Sequence, residues 1–427
     1  MYPFGAGRDV PHMPNVVQQR APARLSDLME EAMNTTRKAS LAGALALSVG
    51  LAVSACGGGS LGGGDGGSSG DKVKVGVLVS LSGVYAPVGK DMKNGIELYL
   101  AQHNNKLGGR DVDLEVVDEG STPETGVAGA TRLAQTGNVD VVTGIVSGPT
   151  AMAGRDIFDS AKIPVLMGNT GSVALGKDLK SDWIWRASYD NGDPGRILGA
   201  DLAKDASAGD FFLIGADYSG GHETLDGFKE TFPKDRIAGE LYTPFGTTSD
   251  YSPYLAKIRA SGAKNVFCFY AGGEAIEFTK QFHAFGLDDS VQLYSAGFLT
   301  EGSALTAEGD AALGIMNATR YNWDIDNPEN KEFVAAYQKK YETVPTVYAA
   351  NMYDIGILLD KAIGSIDGDV THEKLQKAIN DLGGVDGVRG ALEFDDTNTI
   401  KQPFYLVEVK KTDDGLRNVT VKDLGRS

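Results

Sequence analysis

The chain has 427 residues, a formal net charge of −17 and 42% hydrophobic residues. A protein of this charge is repelled by a phosphate backbone, so the composition argues against a nucleic-acid-binding protein. The length and apolar content allow a large core and favour two domains or lobes.

The first part of the chain has the organisation of an export signal. Arg37 and Lys38 precede a short apolar segment, and the small residues Ser54 and Ala55 stand directly before Cys56. The apolar segment is shorter than the ~20 residues that cross a bilayer. The sequence Val-Ser-Ala-Cys resembles the lipobox of bacterial lipoproteins, which implies that Cys56 is lipidated and becomes the first residue of the mature protein. The alternative is a short buried helix followed by a loop.

These features divide the first 71 residues into three predicted segments. Residues 1–32 are interpreted as a mis-assigned or disordered extension, and residues 33–55 as a lipoprotein signal peptide. Residues 56–71 form a lipidated Cys with a Gly/Ser tether, whose 14 residues 57–70 reach roughly 20 Å as a flexible coil. The predicted location is the outer face of the cytoplasmic membrane. With Cys56 lipidated, Cys268 has no intramolecular disulfide partner, and its apolar neighbours predict a small core residue.

From residue 72 onwards, strand-like apolar runs alternate with helix-length segments. The runs form two successive arrays, at 73–79, 112–117, 139–143 and 163–167, and then at 211–215, 237–242, 265–270 and 291–295. This alternation predicts βαβ units and parallel sheets covered on both faces. The predicted fold class is therefore α/β, with two Rossmann-like lobes.

The last hundred residues are predicted to return to both lobes. Helices are predicted at 328–341, 348–363 and 372–382, and strands at 390–394 and 404–409. Crossings near Ser188, Ala318 and Gly390 would form a multi-crossing hinge. The predicted N-terminal lobe is 72–188 plus 319–389, and the predicted C-terminal lobe is 189–318 plus 390–427.

An ordered series of short motifs carries a family resemblance from about residue 72 to the C-terminus. The motifs are Val75-Gly76-Val77-Leu78, Leu81-Ser82-Gly83, Gly108-Gly109-Arg110, Thr122-Pro123-Glu124-Thr125, Val142-Thr143-Gly144, Ile163-Pro164-Val165-Leu166 and Ala216-Asp217-Tyr218. In this series the chain is similar to the substrate-binding proteins of ABC importers, in particular the leucine/isoleucine/valine-binding family. The resemblance implies the type I periplasmic-binding fold, with the ligand between the lobes.

Two loops after first-lobe strands are predicted to bind the ligand. Open α/β sheets place ligands at the carboxyl ends of their strands. The resemblance implies that Ser147 and Gly148, which open a helix, and the loop of Asn169, Thr170, Gly171 and Ser172 hold a carboxylate. A helix N-terminus with its free N–H groups suits an anion. The alternative is ordinary βα-loop chemistry, which favours Gly, Ser and Asn in any case.

Aromatic residues at the strand ends are predicted to supply the pocket walls. The resemblance implies this role for Tyr85, Tyr218, Tyr270, Phe298 and Tyr348, although rings at these positions could equally be core.

One departure from the family pattern concerns the ligand ammonium. Amino-acid-binding relatives often carry a carboxylate where this chain has Gly297 and Phe298. Glu274, Asp217 or Glu301 could substitute for it. The gap favours an organic acid or amide, with a branched-chain amino acid as the rival.

Several enzyme-like patterns are incomplete. The stretch from Gly171 to Lys177 has P-loop glycine spacing, but Asp178 stands where Ser or Thr should bind magnesium. His222-Glu223 lacks the second histidine of a zincin helix. Ser261 to Lys264 matches a penicillin-binding spacing without its companion motifs. We therefore predict a protein that is not an enzyme and needs no cofactor or metal.

The predicted function is capture of a small carboxylate-bearing solute and its delivery to an ABC permease. The expected partners are the solute, the permease complex and the membrane through Cys56, with no nucleic acid, and the protein is expected to be a monomer. The alternative is a sensory module of the same fold that signals to a membrane partner.

Overall fold

The computed structural model describes residues 72–205, 207 and 209–427. The predicted extension, signal peptide, tether and Cys56 lie outside the described residues. None of the helices within the described part is both long and apolar enough to span a bilayer.

The first sheet has six strands in the order β2-β3-β1-β4-β5-β6. All neighbours in it are parallel except the pair β2 and β3. The strands are β1 (Lys72–Val79), β2 (Lys106–Leu107), β3 (Arg110–Asp118), β4 (Val141–Gly144), β5 (Val165–Met167) and β6 (Ile184–Arg186).

The second sheet has seven strands in the order β16-β15-β11-β10-β9-β7-β8, and a small third sheet has the order β12-β13-β14. In the second sheet, β7 to β11 are parallel, while β15 and β16 add an antiparallel hairpin. The strands are β7 (Phe211–Ala216), β8 (Ile237–Thr243), β9 (Asn265–Phe269), β10 (Gln292–Ser295), β11 (Met316–Thr319), β12 (Val385–Gly387), β13 (Gly390–Phe394), β14 (Ile400–Lys401), β15 (Pro403–Thr412) and β16 (Gly415–Arg426).

Helices connect the strands and cover the sheets. They are α1 (Ala86–Gln102), α2 (Pro123–Gln135), α3 (Gly148–Ala161), α4 (Asp193–Leu202), α5 (Ser219–Thr231), α6 (Ser252–Ser261), α7 (Gly272–Ala284), α8 (Ser303–Glu308), α9 (Pro328–Tyr341), α10 (Val347–Gly364) and α11 (His372–Asn380). The predicted α/β fold with two Rossmann-like lobes is thus confirmed. The lobe boundaries stay a prediction.

The sequence patterns missed several short strands, among them β2 and β6, and one long strand. β2 and β6 contain two and three residues, too few for a period to be read. β16 has no fully buried residue, so it lacks the apolar signal of a core strand. It forms because β15 offers it an antiparallel partner over ten residues.

Helix α10 is the most buried of the described helices, and it packs against α1. The two backbones approach so closely at Gly95 that an added Cβ atom would lie 2.1 Å from the Ala349 carbonyl oxygen. Glycine at residue 95 therefore allows the contact that seats the N-terminus of α10. Cys268 is fully buried in the second core, as its apolar neighbours predicted.

A hydrogen-bonded network joins the crossing segments. The Arg389 guanidinium donates to Asp354 Oδ2 at 2.7 Å, to Gln402 Oε1 at 2.5 Å and to the Ala187 carbonyl at 3.0 Å. Gln402 Nε2 in turn donates to the Ser188 carbonyl at 2.5 Å. Because every one of these residues except Ser188 and Ala187 comes from the last quarter of the chain, the network ties the late segments to the first crossing.

Candidate solute-binding cavity

In each of the two large sheets the strand order reverses direction at one strand, β1 in the first sheet and β7 in the second. The chain goes from β1 outward to β3 and then to β4 on the other side of β1, and it does the same with β7, β8 and β9. Such switch points leave a crevice outside the carboxyl ends of the strands. A cavity lies where the crevices of the two sheets face each other.

The cavity is lined by residues of loops, helices and one strand end from both lobes. They are Tyr85, Val88, Val146, Ser147, Gly148, Asn169, Thr170, Tyr189, Asn191, Tyr218, Ser219, Gly220, Phe269, Ala271, Phe298 and Tyr348. Its volume is about 30 Å³, enough for about two water molecules. A neighbouring cavity of about 190 Å³ shares Val88 and Tyr348 with it. A larger solute therefore needs the lobes to separate or the rings to move.

Two helix N-termini meet at the cavity. α3 begins at Gly148 and α5 begins at Ser219, one from each lobe. They are close enough that a Cβ atom added to Gly148 would lie 3.2 Å from Ser219 Oγ. The first N–H groups of a helix have no partner within the helix, and its dipole is positive at this end. The two termini together make this part of the cavity attractive to an anion.

Only part of the loop before α3 is free to bind a ligand. The N–H groups of Val146 and Ser147 donate to the Glu119 carboxylate, at 2.7 Å and 3.0 Å. Ser147 Oγ accepts the Thr150 N–H at 3.3 Å as the helix cap. The backbone donors predicted for this loop are thus partly occupied by a side chain from the end of β3. Sequence reasoning missed Glu119, although an acid directly after a strand was a usable signal.

Two side-chain oxygens at the cavity have no hydrogen-bond partner among the described residues. They are Asn169 Oδ1 and Thr170 Oγ1, and Thr170 is only 3% exposed. The Asn169 amide group is held by a bond from Nδ2 to the Val146 carbonyl at 3.0 Å. A solute oxygen can accept from the Thr170 hydroxyl, while Asn169 Oδ1 can accept from a solute N–H or O–H. Such unpaired buried atoms are uncommon, and a ligand is one explanation for them.

Aromatic rings form the rest of the wall. Phe298 lies 5.5 Å from Tyr189, 5.6 Å from Phe269 and 6.1 Å from Tyr348, measured between ring centroids. On the other side, the Tyr85 and Tyr218 hydroxyls from different lobes are 3.4 Å apart. Burial raises the pKa of both hydroxyls, so they stay protonated and neutral. The wall therefore consists of apolar rings, and the hydroxyl groups that two of them carry are neutral.

Eight of the predicted ligand residues line this cavity. They are Tyr85, Ser147, Gly148, Asn169, Thr170, Tyr218, Phe298 and Tyr348. Gly171, Ser172 and Tyr270 do not line it. The Gly171 carbonyl accepts from the Asn191 N–H at 2.7 Å, which positions a lining residue.

Ser172 and Tyr270 have structural contacts. The Ser172 hydroxyl lies 3.5 Å from Glu223 Oε1 of α5, and Val173 N–H donates to the same carboxylate at 3.2 Å. These contacts join the two lobes at the edge of the cavity. Tyr270 is fully buried against Tyr251 and Phe278, with its hydroxyl 3.2 Å from Thr243 Oγ1. Tyr270 therefore belongs to the core of the second lobe.

None of the three carboxylates considered for an ammonium lines the cavity. Glu274 accepts the Gly246 N–H at 2.8 Å, and Glu301 accepts the Val347 N–H at 2.7 Å. Asp217 is exposed and lies 2.7 Å from His222 Nε2. Among the described residues, those that line the cavity include no charged side chain. An ammonium group would thus meet no carboxylate in this cavity.

Sequence analysis did not predict several of the lining residues because it missed strand β6 and the exact start of helix α5. Tyr189 and Asn191 come after β6, the three-residue strand that no pattern indicated. Ser219 and Gly220 open α5, whereas the sequence pattern predicts this helix only from Gly221 to Phe232. All four stand within a few residues of a strand's carboxyl end, and that position was the local signal that could have found them.

A metal site would need several His, Cys, Asp or Glu side chains close together. Within the described residues, no group of three or more His, Cys, Asp or Glu side chains could hold a metal ion.

Comparison with known proteins agrees with this geometry. Residues 72–415 match the family model described as periplasmic binding protein. The chain belongs to the periplasmic binding protein family. It is a solute-binding protein with the type I periplasmic-binding fold, which confirms the predicted family and fold, and the family acts outside the cytoplasm.

Individual relatives cover most of the chain. The Leu/Ile/Val-binding protein homolog 6 of Brucella melitensis is 31% identical over 356 residues, which are 81% of this chain and 89% of the relative. A solute-binding protein of an ABC transporter from R. palustris, solved with benzoate, is 31% identical with a TM-score of 0.77, covering 83% of this chain and 96% of its own. One from Rhodopseudomonas palustris HaA2, solved with p-hydroxybenzoic acid, has the same identity and TM-score, covering 83% and 97%.

Proposed function

We propose that this protein captures a small aromatic carboxylate outside the cytoplasm and delivers it to an ABC importer. One observation carries the proposal. The cavity between the lobes combines two helix N-termini with an aromatic wall, and no charged side chain of the described residues lines it. The helix N-termini can bind a carboxylate, and the aromatic wall can pack against an apolar ring.

The carboxylate end of the solute is assigned to the helix N-termini. The N–H groups of Gly148, Ser219 and Gly220 lie in the first turns of α3 and α5 and have no partner within the helix. The Thr170 hydroxyl adds a donor that has no other partner among the described residues. Hydrogen bonds to a charged group contribute ~1.5–3 kcal/mol each, so a few of them suffice to fix the orientation of the solute.

An aromatic acid fits the cavity better than an amino acid. A buried ammonium without a carboxylate is costly to desolvate, whereas a ring needs only an apolar wall. Two of the similar solved proteins hold benzoate and p-hydroxybenzoic acid. The relative named for Leu/Ile/Val keeps a branched-chain amino acid as the rival solute.

Closure of the lobes is the proposed means of capture, without any chemical step. Two contacts across the lobes, Tyr85 with Tyr218 and Ser172 with Glu223, lie at the cavity edge and would form as the lobes close. The cavity of about 30 Å³ must open to admit a ring. Hinge closure around a ligand is a known mode for such two-lobe proteins.

The proposal includes a lipid anchor on Cys56, with the mature protein on the outer face of the cytoplasmic membrane. It is supported by the ordered basic, apolar and small-residue segments before Cys56. Metabolic lipid labelling of the wild type and of Cys56→Ala tests this part. Retention of residues 1–55 in the protein isolated from its host would contradict it.

Calorimetry of the purified protein tests the choice of solute. We expect benzoate and 4-hydroxybenzoate to bind with micromolar or tighter dissociation constants, and leucine and isoleucine not to bind. Tight binding of leucine, with no response to any acid lacking an amino group, would overturn the aromatic-acid assignment. Transport is tested separately by co-purification with a permease and solute uptake in membrane vesicles.

A further inference from the structure

A buried arginine next to the aromatic wall has no hydrogen-bond partner for two of its nitrogens. Arg320 directly follows β11, and its side chain is 2% exposed. Its Nε and Nη2 atoms find no acceptor within the described residues. Arg389, another fully buried arginine, makes four hydrogen bonds to protein oxygens. The described part of the protein thus leaves the Arg320 charge only partly satisfied.

Arg320 lies against the cavity wall. Its guanidinium carbon is 4.2 Å from the Tyr189 ring centroid and 5.1 Å from that of Phe298. Both rings line the cavity, while Arg320 does not. The rings therefore separate the charge from the solute, and the cation–π contacts hold the guanidinium against them.

The described residues supply little negative charge to compensate Arg320. Burial lowers the pKa of Arg320 only to about 10, so the guanidinium is charged at neutral pH. Glu301 is the nearby carboxyl that interacts with it, but burial raises the pKa of Glu301 to about 8, so this group is mostly neutral. An unpaired buried charge is unfavourable, and an anion that enters the cavity would relieve it.

We infer that Arg320 is a specificity-determining residue, the electrostatic partner that makes the cavity select an anionic aromatic acid over its neutral amide or a zwitterion. The inference rests on the proposed function and deepens it. Arg320 acts through space across the Tyr189 and Phe298 rings, since it does not reach the solute itself. Its attraction is strong because water is excluded from the path between the two charges.

The experiment compares benzoate with benzamide, a neutral molecule of nearly the same shape. Dissociation constants are measured by calorimetry for the full chain as wild type, Arg320→Met and Arg320→Lys. We expect Arg320→Met to weaken benzoate binding about tenfold or more and to change benzamide binding less than about threefold, where tenfold corresponds to about 1.4 kcal/mol. Arg320→Lys keeps the charge and should keep most of the preference for benzoate.

Stability of the ligand-free protein separates this role from a structural one. The Arg320→Met protein should melt no lower than the wild type, because the substitution removes an unpaired buried charge. Equal losses for benzoate and benzamide would overturn the inference, as would failure of Arg320→Met or Arg320→Lys to fold, since the fold would then need the side chain. If the wild type binds benzoate and Arg320→Met binds it equally well, the inference fails alone. If the wild type binds no aromatic acid, the proposed function fails and the inference falls with it.

Discussion

The crossing region around Arg389 and the solute cavity differ in whether their buried polar groups are hydrogen-bonded. At the crossing, the guanidinium of Arg389 and the carboxylate of Asp354 are both fully buried and bonded to each other at 2.7 Å. At the cavity, Asn169 Oδ1, Thr170 Oγ1 and two nitrogens of Arg320 have no partner among the described residues. The two regions touch, since the Ser188 hydroxyl at the crossing donates to the Thr170 carbonyl at 2.6 Å.

The difference separates structural from binding roles. A buried polar group that is fully bonded stabilises one arrangement of the chain. An unbonded one beside the cavity keeps its hydrogen-bonding capacity or, for Arg320, its charge available to a ligand. Substitutions at the crossing should therefore change the free energy of unfolding, and substitutions at the cavity should change affinity. Matched substitutions in the two regions test whether this separation holds.

The largest effect is expected for Arg389→Met. The substitution leaves Asp354 buried without its partner, which typically costs ~3–5 kcal/mol of unfolding free energy. Urea denaturation measures it, and Arg320→Met is the matched control because the same change removes no such bond there. A cost for Arg389→Met as small as that of the control would break the comparison.

The next effect concerns Glu119, the carboxyl bonded beneath the cavity. Burial raises its pKa from 4.5 to about 7. Because the folded-state pKa is raised, the stabilisation is complete below pH 4.5 and is lost as the pH rises through about 7. The loss is roughly 3 kcal/mol at about 1.36 kcal/mol per pKa unit.

Denaturation at several pH values checks the Glu119 prediction. The unfolding free energy of the wild type should fall more steeply between about pH 5 and pH 8 than that of Glu119→Gln. The glutamine stays neutral and keeps one oxygen to accept from Val146 or Ser147. Parallel pH profiles for the two proteins would assign the dependence to other buried carboxyls.

A third pair of substitutions distinguishes two hydroxyls at the same end of the cavity. Thr170→Val should weaken benzoate binding by ~1.5–3 kcal/mol, about tenfold or more, without lowering the unfolding free energy, because Thr170 Oγ1 has no partner among the described residues. Ser147→Ala should lower affinity and also cost ~0.5–2 kcal/mol of stability, since Ser147 caps α3. Calorimetry measures the benzoate affinity of each variant, and urea denaturation measures its free energy of unfolding. A stability loss in Thr170→Val equal to that in Ser147→Ala would contradict the separation.

The smallest effect is expected for Tyr270→Phe, at a residue that the sequence placed in the pocket. The hydroxyl bonds Thr243 in the core, so its removal should cost ~1 kcal/mol of unfolding free energy. Affinity for an aromatic acid should stay unchanged because Tyr270 does not line the cavity. A clear loss of affinity in this variant would contradict the prediction and show that Tyr270 contributes to solute binding.

Local patterns in the sequence determined the fold class and most of the strand ends. Continuous apolar runs such as 73–79 are typical of buried parallel strands, and the alternation with helices indicates a two-sided parallel sheet. Since ligands of such sheets bind at the carboxyl ends of the strands, the loops of Ser147 and Thr170 could be predicted as cavity loops. These inferences need only neighbours in sequence.

The tertiary structure alone decided which polar groups are already bonded. Glu119 reaches the Val146–Ser147 loop from a different strand, Arg389 binds residues more than 200 positions earlier, and Arg320 is left unpaired beside rings from two other segments. Each of these outcomes depends on contacts between parts of the chain far apart in sequence, which no spacing or period records. The sequence thus indicates where the strands end, and packing determines which of the side chains that meet there remain free for a solute.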